Sequence, residues 1–396
     1  MKTDFVFTSE SVTEGHPDKL CDQISDAIVD QFLIRDPFSK IVVECAVAKA
    51  VVFITARFAS NAAVVDLPDI ARSVIRQIGY VNSDFNAKDC TILTNLIELP
   101  SYEYSHIDER DLADSDLDMF VARNQVNVFG FACRQSSAYM PLPIWLAHRL
   151  ARRLTAARLE NRLRYLTPDG KTQVGVEYKN STPHRIHSIT LISCQKEKEF
   201  PDMNTLREDL VEHVIKPVFT NETIVPDEDT RVYINPNGAF IGGGPATHSG
   251  LTGRKNAVDT YGEYSRQSGA ALSGKGPARI DRIAAYAARY AAKNIIAANL
   301  ADECEVQLSY TIGLPKPVSI QVETFGTGKI DEKEILKRVD ANFDFRLGAI
   351  IRDFNLRYLP SVLKGGFYRK LAAYGHVGRM DIGLPWEKTD KAGALV

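Results

Sequence analysis

The sequence predicts an α+β fold built from three successive units, each of which combines strands with helices. Long helical patterns alternate with segments rich in β-branched residues along the 396-residue chain. A chain of this length exceeds the size at which one hydrophobic core stops growing, so two or three domains are expected. We predict an N-terminal domain over 1–104, a lid loop over 105–119, a central domain over 120–231 and a C-terminal domain over 232–396.

The composition is that of an ordinary globular protein with little net charge. Hydrophobic residues make up 44% of the chain and charged residues 25%, and the formal net charge is -2. This balance gives no general attraction to nucleic acid or to an anionic membrane surface. The N-terminal segment also lacks the apolar stretch of a targeting signal. We therefore predict a cytoplasmic protein without nucleic-acid or membrane partners.

The first unit begins with a helix that places two chemically versatile residues at its start. Apolar residues recur at four-residue intervals, as in the stripe of an amphipathic helix: Leu20, Ile24, Ile28 and Phe32. His16 and Asp18 therefore lie at the helix N-terminus. The next segment, KIVVECAVAKAVVFITARFA, predicts two strands or one long bent strand, and a short helix over DIARSVIRQIGY is predicted to end at Gly79.

The rest of the chain continues the alternation. The polar segment SYEYSHIDERDLADSDLDMF predicts a long surface loop or a lid. The central unit has predicted helices in PLPIWLAHRLARRLTAARLENRL and MNTLREDLVEHVIKPVF and strands in KTQVGVEYKN and HSITLISCQ. The third unit has predicted strands in RVYIN, CEVQLSYTIG and PVSIQVETFG and a long helix in RIDRIAAYAARYAAKNIIAANLA. Asp331 and Glu334 predict a capping box for a further helix, DEKEILKRVDANF.

Two glycine-rich loops of the third unit gather basic residues in a chain that is otherwise slightly acidic: Arg254, Lys255, Lys275 and Arg279. Glycine lets the backbone approach an anion closely, and the helix predicted to start near Pro277 adds the positive end of its dipole. The pattern fits a polyphosphate site. A solvated basic face is an equal alternative on these residues alone.

The start of the first helix is a candidate metal site. A titratable ring, a hard oxygen ligand and a cation fall within four residues: His16, Asp18 and Lys19. The alternative is that Asp18 only caps the helix and His16 is an exposed loop residue. Asp281 is a candidate second metal ligand or, equally, a first-turn acid that balances the helix dipole.

Six segments resemble the S-adenosylmethionine synthetase family, in the family's order and over nearly the whole chain: FTSESVTEGHPDKLCDQISDAIVD, INPNGAF, SGLTGRKNAVDTYG, SGKGPARIDRIAAYAARYAAKNIIAANLA, CEVQLSYTIG and AAYGHVGRMDIGLPWEKTDKA. The resemblance implies three similar α/β-sandwich-like domains in a pseudo-threefold arrangement. It implies a homodimer or homotetramer with active sites at the subunit interface. It also implies transfer of adenosyl from ATP to the sulfur of methionine, with hydrolysis of the triphosphate and with Mg²⁺ and K⁺ as cofactors.

The resemblance assigns roles by position. The residues matched to catalysis are His16, Lys275 and Arg254, and those matched to metals are Asp18 and Asp281 for magnesium and Glu44 for potassium. The other residues matched to ATP and its triphosphate are Lys19, Asp169, Lys171, Phe240, His248, Lys255, Ala271 and Arg279. The residues on the acceptor side are Arg57, Asn124, His248 and Arg279.

The acceptor side departs from the family pattern. Arg57 stands where the family has the glutamate that holds the methionine ammonium, and Asn124 replaces a second acid near the amino acid. His248 replaces an aspartate before SGLTGRK, Arg279 replaces a lysine, and the lid motif SPDINQG is missing. Removing one partner of a buried ion pair typically costs about 3 to 5 kcal/mol. We therefore expect methionine to bind weakly unless other contacts replace these.

Three functions follow from these observations. The first is S-adenosylmethionine synthesis from ATP and methionine. The second is adenosyl transfer to a different, anionic acceptor, since the guanidinium of Arg57 pairs well with carboxylate or phosphate. The third is a non-catalytic homologue that binds nucleotide or regulates a catalytic paralogue. The retained cations and carboxylates favour the first two, because an idle site has no physical need for clustered like charges.

Overall fold

The computed structural model describes residues 3–62, 65–81, 84–198 and 201–396. The strands in these ranges are β1 Phe5–Val12, β2 Lys40–Ala48, β3 Val51–Ala59, β4 Thr91–Glu98, β5 Val126–Cys133, β6 Leu166–Lys179, β7 Thr182–Gln195, β8 Arg231–Ile234, β9 Phe240–Ile241, β10 Gly250–Leu251, β11 Glu303–Tyr310 and β12 Ser319–Glu323. The α-helices are α1 Pro17–Arg35, α2 Leu67–Ile78, α3 Leu142–Leu159, α4 Met203–Leu210, α5 Lys216–Phe219, α6 Asn256–Asp259, α7 Ile280–Ala297, α8 Glu332–Asn342, α9 Leu347–Asp353, α10 Leu359–Val362 and α11 Tyr368–Leu371.

These strands form three sheets, and one long helix packs on each. The first sheet has the order β1-β6-β7-β8, with β9 also paired to β7. The second has the order β10-β2-β3-β4, and the third has the order β12-β11-β5. Helix α3 packs on β1 and β6, α1 packs on β2, and α7 packs on β5 and β11. The predicted α+β class is confirmed.

The chain crosses between sheets instead of completing one sheet at a time. Near the N-terminus, β1 pairs antiparallel with β6, from Phe5 opposite Tyr178 to Val12 opposite Lys171. In the same way β10 pairs with β2, and β5 pairs with β11. Each sheet therefore contains strands from at least two of the predicted domains, and the first sheet contains strands from all three. The domain boundaries at 104, 119 and 231 stay predictions.

The apolar faces of these layers merge into two buried clusters. One surrounds α1 and α7 and includes Leu20, Ile24 and Ile283. The other lies between α3 and the first sheet and includes Leu150 and Val174. All five of these side chains have no exposed surface. Burial of a side chain of this size contributes about 1.5 to 3 kcal/mol, so the predicted stripe of α1 is part of what holds the second sheet in place.

Two predicted boundaries are resolved by local geometry. The segment KIVVECAVAKAVVFITARFA forms two strands, β2 and β3, joined by a tight turn at Lys49 with φ 49°. Helix α2 ends at Gly79 as predicted, where φ is 110° and favours glycine. Helix α7 begins at Ile280 and not near Pro277. The residues before it form a turn because the N–H of Gly276 is bonded to the edge of β2.

The predicted helix MNTLREDLVEHVIKPVF is interrupted by a π-helical turn, Val211–Ile215, between α4 and α5. Pro217 has no N–H to donate to the carbonyl of His213. That carbonyl accepts a 2.8 Å hydrogen bond from Nε of Arg153 instead. The proline thus accounts for the interruption, and α3 supplies the missing donor.

The capping box predicted for α8 is only half formed. The carboxylate of Asp331 accepts a 2.8 Å hydrogen bond from the N–H of Lys333, which confirms the N-cap. The other half of the prediction was wrong, because Glu334 does not reach back to the backbone of Asp331. It accepts a 3.0 Å hydrogen bond from Nε of Arg338, one turn further along the same helix.

The segment predicted as a surface loop or lid is bound to the C-terminal part of the chain. It contains three 3₁₀ turns, Ser101–Glu103, Glu109–Asp111 and Asp114–Met119. Glu109 is buried, and its Oε2 accepts a 2.8 Å hydrogen bond from Nε of Arg357. Such a buried charge pair fixes the middle of the segment against the loop that follows α9.

No helix in the described ranges is both long and apolar enough to cross a bilayer. All six cysteines are buried free thiols.

Candidate functional site

The glycine-rich loops are held by a row of aspartates on α1. These residues are spaced by four, lie on one face of the helix, and are buried. Together they accept backbone N–H groups from three segments: Asp18 from Leu251 at 3.0 Å and Asp22 from Gly253 at 2.7 Å, Asp26 from Gly274 at 2.8 Å, and Asp30 from Tyr368 at 2.9 Å and Arg369 at 3.0 Å. The helix therefore positions both loops that carry the predicted phosphate-binding cations.

Burial raises the pKa of two aspartates in this row. Desolvation raises the pKa of Asp22 to about 7, against the opposing effect of the Lys19 ammonium. Desolvation likewise raises the pKa of Asp30 to about 7, although backbone N–H groups oppose it. Asp26 is bound by a full counter-charge, because both its oxygens accept hydrogen bonds from Arg282 at 2.7 and 2.9 Å.

Both loops also complete the edge of β2. The N–H of Val43 donates to the carbonyl of Gly274 at 2.7 Å, and Thr252 donates to Cys45 at 2.9 Å. Gly274 has φ +80°, and a Cβ there would lie 2.1 Å from the Val43 carbonyl oxygen. Only glycine therefore allows this approach of the loop to the strand.

The first group of site residues, which we call the histidine cluster, consists of His16, Asp18, Asp169, His248 and Arg254. Nδ1 of His16 accepts the N–H of Asp18 at 3.3 Å, so His16 is itself the N-cap of α1. The Nε of Arg254 lies 2.8 Å from Oδ1 of Asp18. On the other side, His248 Nε2 lies 3.2 Å from Oδ2 of Asp169, and the two histidine rings are 5.3 Å apart.

Two properties of the histidine cluster suit a ligand. Burial lowers the pKa of His16 to about 4, despite the nearby charges of Asp169 and Asp18, so the ring is neutral at pH 7 and free to act in hydrogen bonds. The Oδ1 of Asp169 is buried and has no hydrogen-bond partner in the part of the chain that the structure describes. A buried acceptor of this kind normally has a partner, so it marks a place for a ligand donor.

The second group, which we call the lysine cluster, consists of Lys275, Asp281 and Asn124. Nζ of Lys275 lies 3.2 Å from Oδ1 of Asp281, and Nδ2 of Asn124 donates to the same oxygen at 2.7 Å. Burial lowers the pKa of Lys275, while the carboxylate of Asp281 opposes this. Asp281 lies in the first turn of α7, so the helix dipole further stabilises its charge.

The two clusters occupy different positions along the edge of β2. Gly250, next to the histidine cluster, lies opposite Val47, whereas Lys275 lies opposite Val42. Five residues of strand separate these points, which corresponds to roughly 17 Å. The structure thus brings the predicted site residues into two groups and does not join them into one.

Several predicted residues lie outside both clusters. Lys19 has no exposed surface, because its ammonium is bound 2.7 Å from Asp22 and to Asp259 beneath the site. Lys255 forms a 2.8 Å ion pair with Glu10 at the edge of the histidine cluster. The other positions are Lys171, exposed on β6; Phe240, in β9; Ala271, packed against Gly253; Arg279, the N-cap of α7; and Glu44 and Arg57, exposed on β2 and β3.

Sequence reasoning missed the residues that support the site. They are Asp22, Asp26, Asp259, Arg282 and His376, all fully buried. His376 lies 2.8 Å from the Tyr286 hydroxyl and 3.3 Å from that of Ser273. The signal for the two acids on α1 was present in their spacing of four from Asp18, on a helix whose polar positions are otherwise expected to face solvent.

The histidine cluster offers the buried carboxylates of Asp18 and Asp169 to a metal, and the lysine cluster offers that of Asp281. Among the described residues, no three His, Cys, Asp or Glu side chains are grouped so that they alone would hold a metal ion. Mg²⁺ usually binds through one or two carboxylates together with phosphate oxygens and water. Asp18 and Asp281 fit that mode, because each is a hard oxygen ligand beside a cation that would itself contact phosphate.

Comparison with known proteins identifies the family of this chain. Models of the S-adenosylmethionine synthetase N-terminal, central and C-terminal domains match residues 4–100, 120–240 and 242–388. An S-adenosylmethionine synthase of Trichodesmium erythraeum (strain IMS101) is 47% identical over 409 residues, which covers 100% of this chain and 97% of that protein. One of Microcystis aeruginosa (strain NIES-843 / IAM M-2473) is 49% identical, with coverage of 100% and 98%. Since the similarity extends over all three domains and both full lengths, this chain belongs to the S-adenosylmethionine synthetase family.

Proposed function

We propose that this chain makes S-adenosylmethionine from ATP and methionine. The sulfur of methionine attacks C5′ of the ribose, the C5′–O bond breaks, and triphosphate leaves with the electron pair. Water then cleaves the triphosphate to phosphate and diphosphate. The observation that carries the proposal is that Arg254 and Lys275 each lie beside a buried carboxylate in loops anchored by α1.

Stabilising the leaving group is the main electrostatic task of this reaction. Triphosphate departs with about four negative charges, and preorganised cations reduce the barrier most where that charge develops. Arg254 and Lys275 are already oriented by ion pairs, so little reorganisation is needed when the bond breaks. The neutral ring of His16 can direct a hydrogen bond to the ribose or triphosphate oxygens.

Magnesium would be held by Asp18 and Asp281, where it would neutralise charge on the triphosphate. We also propose K⁺ as a cofactor, with Glu44 as its ligand on the exposed face of β2. Both ions prefer the oxygen donors that these carboxylates supply. A cytoplasmic location stays a prediction from the N-terminal sequence.

We propose further that the two clusters combine across a homodimer interface. The outward face of the second sheet exposes a row of large apolar side chains: Val51 41%, Phe53 43%, Leu93 51% and Ile97 43%. Extended apolar patches of this kind mark interaction surfaces. A second copy on this face would cover Glu44 and Arg57, which point the same way. It would also allow one subunit's histidine cluster to meet the other's lysine cluster, and a tetramer of two such dimers is the alternative assembly.

A second candidate is adenosyl transfer to an anionic acceptor. Arg57 is exposed on β3 and pairs with Val42 of β2. Val42 in turn pairs with Lys275. Arg57 and Lys275 therefore lie on the same face of the second sheet. Asn124 beside Asp281 is neutral. Together these side chains favour an anionic group over an ammonium, which is what supports the second candidate.

The test is to incubate the purified protein with ATP, MgCl₂, KCl and methionine and to follow S-adenosylmethionine by mass spectrometry. We expect product that depends on both substrates and that falls at least a hundredfold in Arg254→Met. Lys179→Met, on an exposed strand end, serves as the matched control. Absence of product at stoichiometric enzyme concentration would refute methionine as the acceptor, and a parallel screen of anionic thioethers then tests the second candidate.

A further inference from the structure

A solvent-connected cavity of about 220 Å³ lies between α3 and the C-terminal segment, apart from both clusters. Its apolar walls include Trp145, Met140 and Val377, and its charged residues are Arg149, Arg152, Arg379 and Asp381. The cavity is far larger than a single water requires. It is therefore roomy enough for a small organic molecule.

The charges around this cavity do not balance. Arg152 forms a 2.6 Å ion pair with Asp381, and Arg379 binds the same carboxylate at 2.9 Å. Arg149 is paired with Glu222, whose other contact here is the Trp145 indole N–H at 3.2 Å. Three guanidinium groups thus share two carboxylates, which leaves one positive charge.

One ring nitrogen of a buried histidine in the cavity wall, His148, lacks a hydrogen-bond partner among the described residues. His148 is only 6% exposed, and its Nδ1 lies 2.8 Å from the hydroxyl of Ser11. Its Nε2 is the buried nitrogen without such a partner in the described ranges. Nε2 lies beside Gly375, where even a Cβ would approach to 3.0 Å, so a side chain at this position would crowd the nitrogen. An orphan polar atom of this kind calls for a ligand atom.

From these three observations we propose that the cavity is a binding site for a small aromatic or branched apolar monocarboxylate. The single excess positive charge matches one carboxylate, and the forked guanidinium of Arg152 suits its two oxygens. Trp145 and Met140 contact the apolar body. Nε2 of His148 meets a polar atom at the inner end of the ligand.

The mouth of the cavity is the Arg152–Asp381 pair, whose side chains are 41% and 36% exposed. A ligand carboxylate can therefore reach Arg152 by taking the place of Asp381, which keeps its second partner, Arg379. The same C-terminal segment carries His376, which lies against Ser273 in the loop of the lysine cluster. The ligand would thus contact a segment that supports the phosphate loops without entering them.

Isothermal titration calorimetry of the full-length protein with phenylacetate tests the proposal. We expect saturable binding of one phenylacetate per chain, at least tenfold weaker binding in Arg152→Met, and no change in Arg162→Met. Arg162 is the matched control because it is an exposed arginine just beyond α3 that pairs with Glu160, away from the cavity. The uncharged analogue phenylacetamide should bind at least tenfold more weakly, because it cannot form the charged contact.

Arg149→Met provides a second variant if Arg152→Met does not fold, and its expected effect is the same. Undiminished affinity in a folded variant, or no saturable heat with phenylacetate, would overturn the proposal. Tighter binding of the dianion phenyl phosphate than of phenylacetate would overturn the assignment of a monocarboxylate. These binding measurements do not involve catalysis, so their outcome is independent of whether the proposed reaction is correct.

Discussion

Asn124 donates a 2.7 Å hydrogen bond from its side-chain amide to Oδ1 of Asp281. The same oxygen lies 3.2 Å from Nζ of Lys275. The buried Asp281 carboxylate thus has one neutral and one cationic partner, and Lys275 alone supplies its counter-charge among these contacts. This arrangement decides what replacement of either partner should do.

Replacing Lys275 by methionine should abolish most ATP turnover. The change removes a cation from the leaving group and leaves Asp281 with a neutral partner only. We expect ATP-dependent phosphate release to fall about 10² to 10³-fold, the typical cost of losing one preorganised electrostatic contact. Lys333→Met, at the start of α8, should leave the rate unchanged. Retention of a tenth or more of the wild-type rate would show that Lys275 does not stabilise the triphosphate.

Arg57→Glu tests the acceptor preference. A carboxylate at this position would attract the methionine ammonium, whereas the guanidinium repels it. We expect KM for methionine to fall at least tenfold while KM for ATP stays the same, because an opposite charge replaces a like charge near the substrate. Arg231→Glu, exposed on β8 in the first sheet, controls for the change in net charge. An unchanged KM for methionine would place Arg57 outside the acceptor site.

Asp26→Asn should weaken the contact between α1 and the loop that carries Lys275, and so lower the stability of the protein. The substitution leaves the buried guanidinium of Arg282 without its counter-charge, which typically costs about 3 to 5 kcal/mol. For a chain of this size we expect the thermal midpoint to drop by roughly 4 to 6 °C. Asp26→Leu combined with Arg282→Met removes both charges and should recover part of the loss. A double variant as unstable as Asp26→Asn would mean that the Gly274 contact, and not the charge pair, matters most.

The free energy of unfolding should depend on pH through the protonation of His148. Burial lowers the pKa of this ring to about 3, and the charges of Arg379, Lys19 and Arg152 act in the same direction. Below pH 6.5 the unfolded chain therefore binds a proton that the folded chain does not, so folding is destabilised as the pH falls. Relative to His148→Gln, the wild type should lose about 2 kcal/mol of unfolding free energy between pH 7.5 and pH 5. Urea titrations at both pH values measure this difference, and a parallel pH dependence of the two proteins would contradict it.

The secondary structure was predictable wherever one face of an element is apolar. The stripe through Leu20 and Ile24 predicts α1, and the β-branched residues around Ile54 predict β3. Sheet membership was not predictable, because the pairing of β1 with β6 joins residues more than 150 positions apart. No local pattern encodes such a partner.

Only part of the site was predictable. His16, Asp18 and Lys275 were identified from residue type and motif. Asp26 and Arg282 form a buried ion pair between α1 and α7 that no sequence pattern predicts. Lys19 illustrates the reverse case. Its position suggested a phosphate contact, whereas the folded chain neutralises it with Asp22 and Asp259 beneath the surface.

The most direct test of the account is complementation between inactive subunits. Arg254→Met disables the histidine cluster and Lys275→Met disables the lysine cluster, so each variant alone should be inactive. If one site takes a cluster from each subunit, half of the sites in a mixed dimer are intact, and co-expression of equal amounts should restore about a quarter of wild-type S-adenosylmethionine formation. A mixture as inactive as either parent, with mixed dimers confirmed by native mass spectrometry, would contradict the account.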